Sequence, residues 1–379
     1  MNDRALDRVS TALRSQNGGG RFWLRPLVML SGATAEAAIA AGEALPLAGR
    51  GLGLAFAGVE IVVRDETDPI GMIGAAASLG HARRWAAVTG VLARYESQIT
   101  TLTSPRARWA GLDFSRPRIM GILNITPDSF SDGGDYFDAT TAIASGQAML
   151  AAGADILDIG GESTRPGAQP IEPTEEIRRI EPVVRALAHV GALISIDTRN
   201  GATMQAALAA GARIINDVSA LTGDPESLAV AARSEAPIVL MHMLGDPRTM
   251  QSDPVYACAP LDILEYLEDR ISACIAGGVS RERIVVDPGI GFGKRLRHNL
   301  QIMSRLSLLH LTGCPILLGA SRKSFIASAV DRGTPAKERL PGSLAAALAA
   351  LDQGVQILRV HDVAETWQAA EVWRGIRLA

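Results

Sequence analysis

The sequence predicts an α/β protein: a (β/α)8 TIM barrel over residues 118–379 with a small mixed α/β extension ahead of it. Three observations predict this. From residue 118 onward, short apolar runs alternate with segments of helical periodicity, the pattern of buried parallel strands joined by amphipathic helices. Eight such pairs fit the roughly 250 residues that a closed eight-fold barrel needs. Polar clusters follow nearly every run on its C-terminal side, the edge where a barrel gathers its binding residues, whereas the N-terminal edges are plain. A doubly wound open sheet is the competing arrangement, and no G-x-G-x-x-G follows the first barrel strand to support it.

The elements follow in order. Residues 1–20 are polar, end in Asn17-Gly18-Gly19-Gly20 and read as a disordered leader. Residues 21–113 form the extension. Within it, 25–30 and 53–63 read as strands, 33–44 and 73–95 as helices, and 100–118, with Pro105, Gly111 and Pro117, as a loop. Barrel strands are expected at 119–125, 156–160, 193–196, 213–215, 238–243, 284–286, 316–318 and 356–360. Helices are expected at 139–152, 174–190, 202–210, 225–234, 261–276, 298–311, 339–351 and 364–376. Gly153 and Gly211 stand where a helix needs a left-handed residue to stop. Pro341 falls in the first turn of the seventh barrel helix, where proline is tolerated.

Composition narrows the function. A net charge of −3 over 379 residues argues against general affinity for nucleic acid or an anionic membrane. Three cysteines without a C-x-x-C pair argue against a disulfide framework or a structural zinc site. No secretory leader or 18-residue uncharged apolar run is evident, so a cytoplasmic protein is expected. Of 37 cationic side chains only Lys294, Lys323 and Lys337 are lysine, so a lysine inside a polar cluster stands out.

A closed barrel brings the strand-end clusters to one rim. Asp197 and Asp287 supply carboxylates and Asn216 an amide, a set suited to a flat heterocycle with amidine-like N–H edges. Lys323 adds a donor, while Lys294 reads as a surface loop charge or a site residue. Arg359 and His361 on the last strand neighbour Asn124 on the first. Arginine suits phosphate oxygens, and the amide oxygen suits a hard cation. The long loops at 128–134 and 163–173 have the make-up of lids.

Two longer runs, GILNITPDSFSDGG at 121–134 and DIGGESTRPG at 158–167, closely resemble the signatures of the dihydropteroate synthase family. SIDT at 195–198, IND at 215–217, DPGIGFGK at 287–294, SRKS at 321–324 and RVHD at 359–362 follow in the family's order. The resemblance covers about residues 118–379. It implies condensation of 6-hydroxymethyl-7,8-dihydropterin diphosphate with 4-aminobenzoate, releasing pyrophosphate. It implies that Asp197, Asn216, Asp287 and Lys323 hold the pterin, with Met241 and Phe292 packing near its ring. Asn124, Arg359 and His361 would hold the diphosphate with Mg2+, Asn124 as metal ligand, beside Thr126 and Asp128 of the first loop. Phe130, Thr164, Arg165, Pro166 and Ser324 would form the aminobenzoate site, which sulfonamides would also occupy. A homodimer formed through helices near the C-terminal end is expected by the same resemblance. The extension matches no signature of a neighbouring folate enzyme.

Overall fold

The computed structural model describes residues 3–15, 20–125, 139–163, 171–246, 249–331 and 333–379. Residues 3–15 form a helix, α1 (Asp3–Ser15), rather than a disordered leader. Leu6, Val9 and Leu13 repeat at helical spacing and are buried, and the Ser10 hydroxyl accepts from Trp85 Nε1 at 2.9 Å. The charged residues between them hide this stripe in a reading by composition.

The rest of the extension runs β1 (Phe22–Leu30), α2 (Gly32–Ala40), β2 (Leu45–Pro46), β3 (Ala55–Arg64), β4 (Met72–Ser78), α3 (Leu79–Val88) and α4 (Leu92–Thr103). β3 is the spine of an antiparallel sheet and pairs with β1, β2 and β4. The expected helix over 73–95 is therefore wrong in its first part. Residues 72–78 are rich in alanine, but they pair along β3 and bury alternate side chains, so sheet context overrides helix propensity. The expected loop over 100–118 also begins later, because α4 continues to Thr103.

The second sheet is the barrel. Its parallel strands are β5 (Arg118–Asn124), β6 (Ile156–Gly160), β7 (Ile194–Asp197), β8 (Ile214–Asp217), β9 (Ile238–Met241), β10 (Ile284–Asp287), β11 (Leu317–Leu318) and β12 (Ile357–Val360). Neighbours run β10-β9-β8-β7-β6-β5-β12-β11, and a parallel bridge between Val286 and Ile316 closes the ring. Around it lie α5 (Ala139–Ala151), α6 (Pro173–His189), α7 (Gly201–Ala210), α8 (Ser227–Ser234), α9 (Ala259–Ala276), α10 (Leu296–Met303), α11 (Ser324–Val330), α12 (Leu340–Leu351) and α13 (Val363–Leu378). The expected helix at 298–311 divides into α10 and a 3-10 segment, Leu306–Thr312. Pro341 sits in the first turn of α12, as its ring requires.

The foot of the barrel is plugged from below. Met120, Ile156, Ile214, Val239, Val285, Leu317 and Ile357 form one apolar layer, and Trp109 and Phe114 cap it from the segment before β5. Trp109 is 1% exposed and donates its indole N–H to the Arg283 carbonyl at 2.9 Å. The opposite end is left for polar side chains. Among the described residues no helix is long and apolar enough to cross a membrane.

Candidate active site

Strand ends bring the predicted residues together. Asp197 closes β7 and pairs in register with Asn216 on β8, while Asp287 closes β10 opposite Met241 on β9. Asn124 closes β5 beside Gly160, and Arg359 lies on the adjacent β12. All of them lie at the C-terminal rim, and Asp197, Asn216, Met241 and Asp287 are buried there.

The centre of the cluster is a residue that the sequence reading left without a role. Asp158 of β6 is fully buried and accepts two hydrogen bonds on Oδ2, from Arg359 Nε at 2.6 Å and Asn216 Nδ2 at 3.0 Å. The other arm of Arg359, Nη2, reaches Asp197 Oδ2 at 2.6 Å. Arg359 therefore grips two carboxylates, one on β6 and one on β7. A lone acid inside the apolar run 156–160 was the available signal, since an unpaired buried carboxylate is costly. Oδ1 of Asp158 and Oδ1 of Asp197 are buried and find no hydrogen-bond partner among the described residues. They are acceptors awaiting donors.

Lys323 and Asp287 complete this wall. A Cβ placed on Gly319 would lie 3.6 Å from Asp287 Oδ2 and 3.8 Å from both Lys323 Nζ and Arg359 Cδ, so glycine keeps this space open. Lys323 Nζ donates to the Ile290 carbonyl and stands 4.7 Å from the Phe292 ring centroid. Asp287 Oδ1 accepts from the Gly289 amide at 2.7 Å. Burial pushes the Asp287 carboxyl up, with Lys323 opposing. Burial also raises Asp197 to about 7; Arg359 opposes this and Asp158 adds to it. Lys323 is lowered to about 8 by burial, with Asp287 opposing. For Arg359 burial works against the cation, but Asp158 and Asp197 outweigh it and the net shift is upward.

At the end of β12, two rungs tie the loop after β11 to this strand. Ser321 Oγ accepts from the His361 amide at 3.2 Å and lies 3.1 Å from His361 Nδ1. Arg322 pairs with Asp362, its Nε reaching Oδ2 at 3.0 Å. Arg322 holds a left-handed φ of 58°, unusual for a residue with a side chain, and these contacts hold it there. Ser324, expected at the aminobenzoate site, is exposed at the start of α11. Asp217, next to Asn216, serves its own turn by accepting from the Ser219 amide and hydroxyl and the Leu221 amide.

Lys294 is not a surface charge. It is 3% exposed, and Nζ lies 2.9 Å from His242 Nδ1, 2.9 Å from the Phe292 carbonyl and 3.3 Å from the His242 carbonyl. Burial pushes its amine well down. It staples the loops after β9 and β10 to each other. The predicted residues Thr126, Asp128, Phe130, Thr164, Arg165 and Pro166 lie outside the described residues.

The donor set also tests the fit to Mg2+. Among the described residues no group of three or more His, Cys, Asp or Glu side chains could hold a metal. Asn124 Oδ1 lies 3.7 Å from where a Cβ of Gly160 would stand, so glycine leaves room beside this neutral oxygen. One amide oxygen fits an ion held mainly by diphosphate oxygens and water, as Mg2+ commonly is.

A sequence profile of the family described as "Pterin binding enzyme" matches residues 120–361. The dihydropteroate synthase of Neisseria meningitidis serogroup B is 49% identical over 271 residues, covering 70% of this chain and 94% of its own length. That of Escherichia coli strain K12 is 44% identical over 267 residues, covering 70% of this chain and 94% of its own. Among solved structures, Yersinia pestis dihydropteroate synthase in complex with a sulfonamide drug superposes with a TM-score of 0.67 at 45% identity, covering 71% of this chain and 97% of that one. The Xanthomonas albilineans enzyme in complex with 7,8-dihydropteroate superposes with a TM-score of 0.64 at 40% identity, covering 71% and 96%. Sequence, fold and rim agree, and the chain belongs to the dihydropteroate synthase family, transferases of folate biosynthesis.

Proposed function

We propose that the barrel rim joins 6-hydroxymethyl-7,8-dihydropterin diphosphate to 4-aminobenzoate, giving 7,8-dihydropteroate and pyrophosphate. The observation that carries this reading is the pair of buried oxygens on Asp158 and Asp197 without a partner among the described residues, set beside Asn216, Asp287 and Lys323. A pterin offers the N–H donors that such acceptors require and the acceptors that Lys323 and Asn216 require. Met241 and Phe292 line its faces. Asn124 and His361 face the diphosphate, with Arg359 bridging from the carboxylates. Mg2+ fits Asn124 and would supply charge neutralisation of the departing pyrophosphate.

An aryl amine is a weak nucleophile, so the residues act on the leaving group. His361 and Arg359 favour charge that builds on pyrophosphate, and the carboxylates of Asp197 and Asp287 favour the cationic character left on the pterin methylene. Loop residues Thr126 and Asp128 complete the diphosphate side. Phe130, Thr164, Arg165 and Pro166, together with Ser324, close over the methylene, exclude water and receive the aryl amine, a site at which sulfonamides compete. The aminobenzoate site then forms only after the pterin is bound. Calorimetry tests this: wild type should bind the pterin diphosphate, Lys323→Ala should lose that binding, and 4-aminobenzoate should bind only with pterin and pyrophosphate present. Wild-type pterin affinity in Lys323→Ala, or equal 4-aminobenzoate affinity without them, would contradict the reading.

A further inference from the structure

The extension lies outside the residues that the family profile matches, yet it grips the loop after β9 at its foot. Two contacts converge there. Gly71, in the turn between β3 and β4, has a left-handed φ of +75°, and a Cβ on it would overlap the Ala257 carbonyl oxygen. Arg64, at the end of β3, donates to Asp262 Oδ1 at 2.6 Å, and Asp262 Oδ2 accepts from the Cys258 amide at 2.9 Å, tying the first turn of α9 back to the residue just ahead of it. Adjacent residues 257 and 258 are thus held from the extension by backbone packing and by a relayed ion pair.

The next residue toward the site continues the chain of contact. The Tyr256 hydroxyl donates to the Gly293 carbonyl at 2.8 Å, in the loop that carries Phe292 and Lys294. We propose that the extension is a brace for the active site: through Gly71 and Arg64 it fixes the foot of the β9 loop, and through Tyr256 it sets the 289–294 loop and so the wall against which the pterin packs. Gly71, Arg64 and Tyr256 are positioning residues that touch no substrate. This inference rests on the proposed pterin site.

A matched pair of glycines isolates the contact. Gly90 has a φ of +77° in the same extension and open space around it, so Gly90→Ala reproduces the backbone strain of Gly71→Ala without the collision. Gly71→Ala should raise KM for the pterin diphosphate about tenfold while KM for 4-aminobenzoate stays near wild type, because sub-ångström misplacement of a binding wall costs that much. Tyr256→Phe should give the same split, and Gly90→Ala should behave as wild type. Hydrogen exchange reads the brace without any activity. Amides at 289–294 should exchange faster in Gly71→Ala and Tyr256→Phe than in Gly90→Ala. If Gly71→Ala is too unstable to isolate, Arg64→Gln carries the same expectation. Equal exchange and equal pterin KM in the Gly71 and Gly90 variants would overturn the proposal. No turnover by the wild type, with exchange shifted as expected, would instead count against the pterin reading and leave the brace standing.

Discussion

Replacing Asp158 with asparagine removes one charge from the buried cluster and almost no volume. In the wild type its Oδ2 takes donors from both Arg359 and Asn216, while Oδ1 is buried without a partner among the described residues. In Asp158→Asn the amide oxygen can take over the Oδ2 position, which forces the NH2 group into the Oδ1 position with its donors unmatched. Breaking a buried ion pair typically costs about 3–5 kcal/mol. Arg359 keeps Asp197 at 2.6 Å, so the guanidinium is not abandoned. The expected loss therefore lies at or below the lower end, about 2–3 kcal/mol. Function should suffer more than stability, because the unmatched NH2 group disturbs the Asn216 amide and the Nε arm of Arg359 at the centre of the rim while Nη2 stays on Asp197, and kcat/KM for the pterin substrate should fall about a hundredfold. Thermal melts give the first quantity and steady-state kinetics with either substrate varied give the second. A variant that melts and turns over like wild type would refute the idea that Asp158 organises the site.

Other consequences follow from the same geometry. If pterin binding needs Asp197 ionised and Lys323 protonated, kcat/KM for the pterin substrate should trace a bell with apparent pKa values of about 7 and about 8; a flat profile from pH 6 to 9 would contradict those assignments. The stability sign is distinct: a carboxyl raised from 3.8 to about 7 favours the folded state below its unfolded pKa, and that contribution is lost as pH rises toward 7, measurable by melts across that window. Trp109→Ala should cost about 3–5 kcal/mol by emptying the barrel foot, with KM values unchanged in the folded fraction. Arg165→Ala should mainly raise KM for the aryl amine; a pure loss of pterin affinity would remove it from the aminobenzoate site.

The barrel was legible because its strands are buried on both faces and read as continuous apolar runs, and because helices such as α6 are amphipathic, so each of these leaves a pattern that no partner is needed to see. The rim was legible because polar residues at the ends of apolar runs must be explained. What stayed hidden depends on contacts distant in sequence. β4 is a strand only because β3 lies beside it, and α1 shows its buried stripe only once Trp85 and its neighbours cover it. Asp158 read as part of a motif, since nothing local says that Arg359, 201 residues away, closes on it. Lys294 read equally well as a loop charge, because the partner that buries it from another loop, His242, is 52 residues away.

The most direct test of the central claim is product analysis on the purified protein given 6-hydroxymethyl-7,8-dihydropterin diphosphate, 4-aminobenzoate and Mg2+. The expected result is 7,8-dihydropteroate and pyrophosphate in equal amounts, competitive loss of dihydropteroate when a sulfonamide is added, and neither product from Asp287→Ala. Absence of dihydropteroate, or pyrophosphate released without it when no sulfonamide is present, would be the contradicting result.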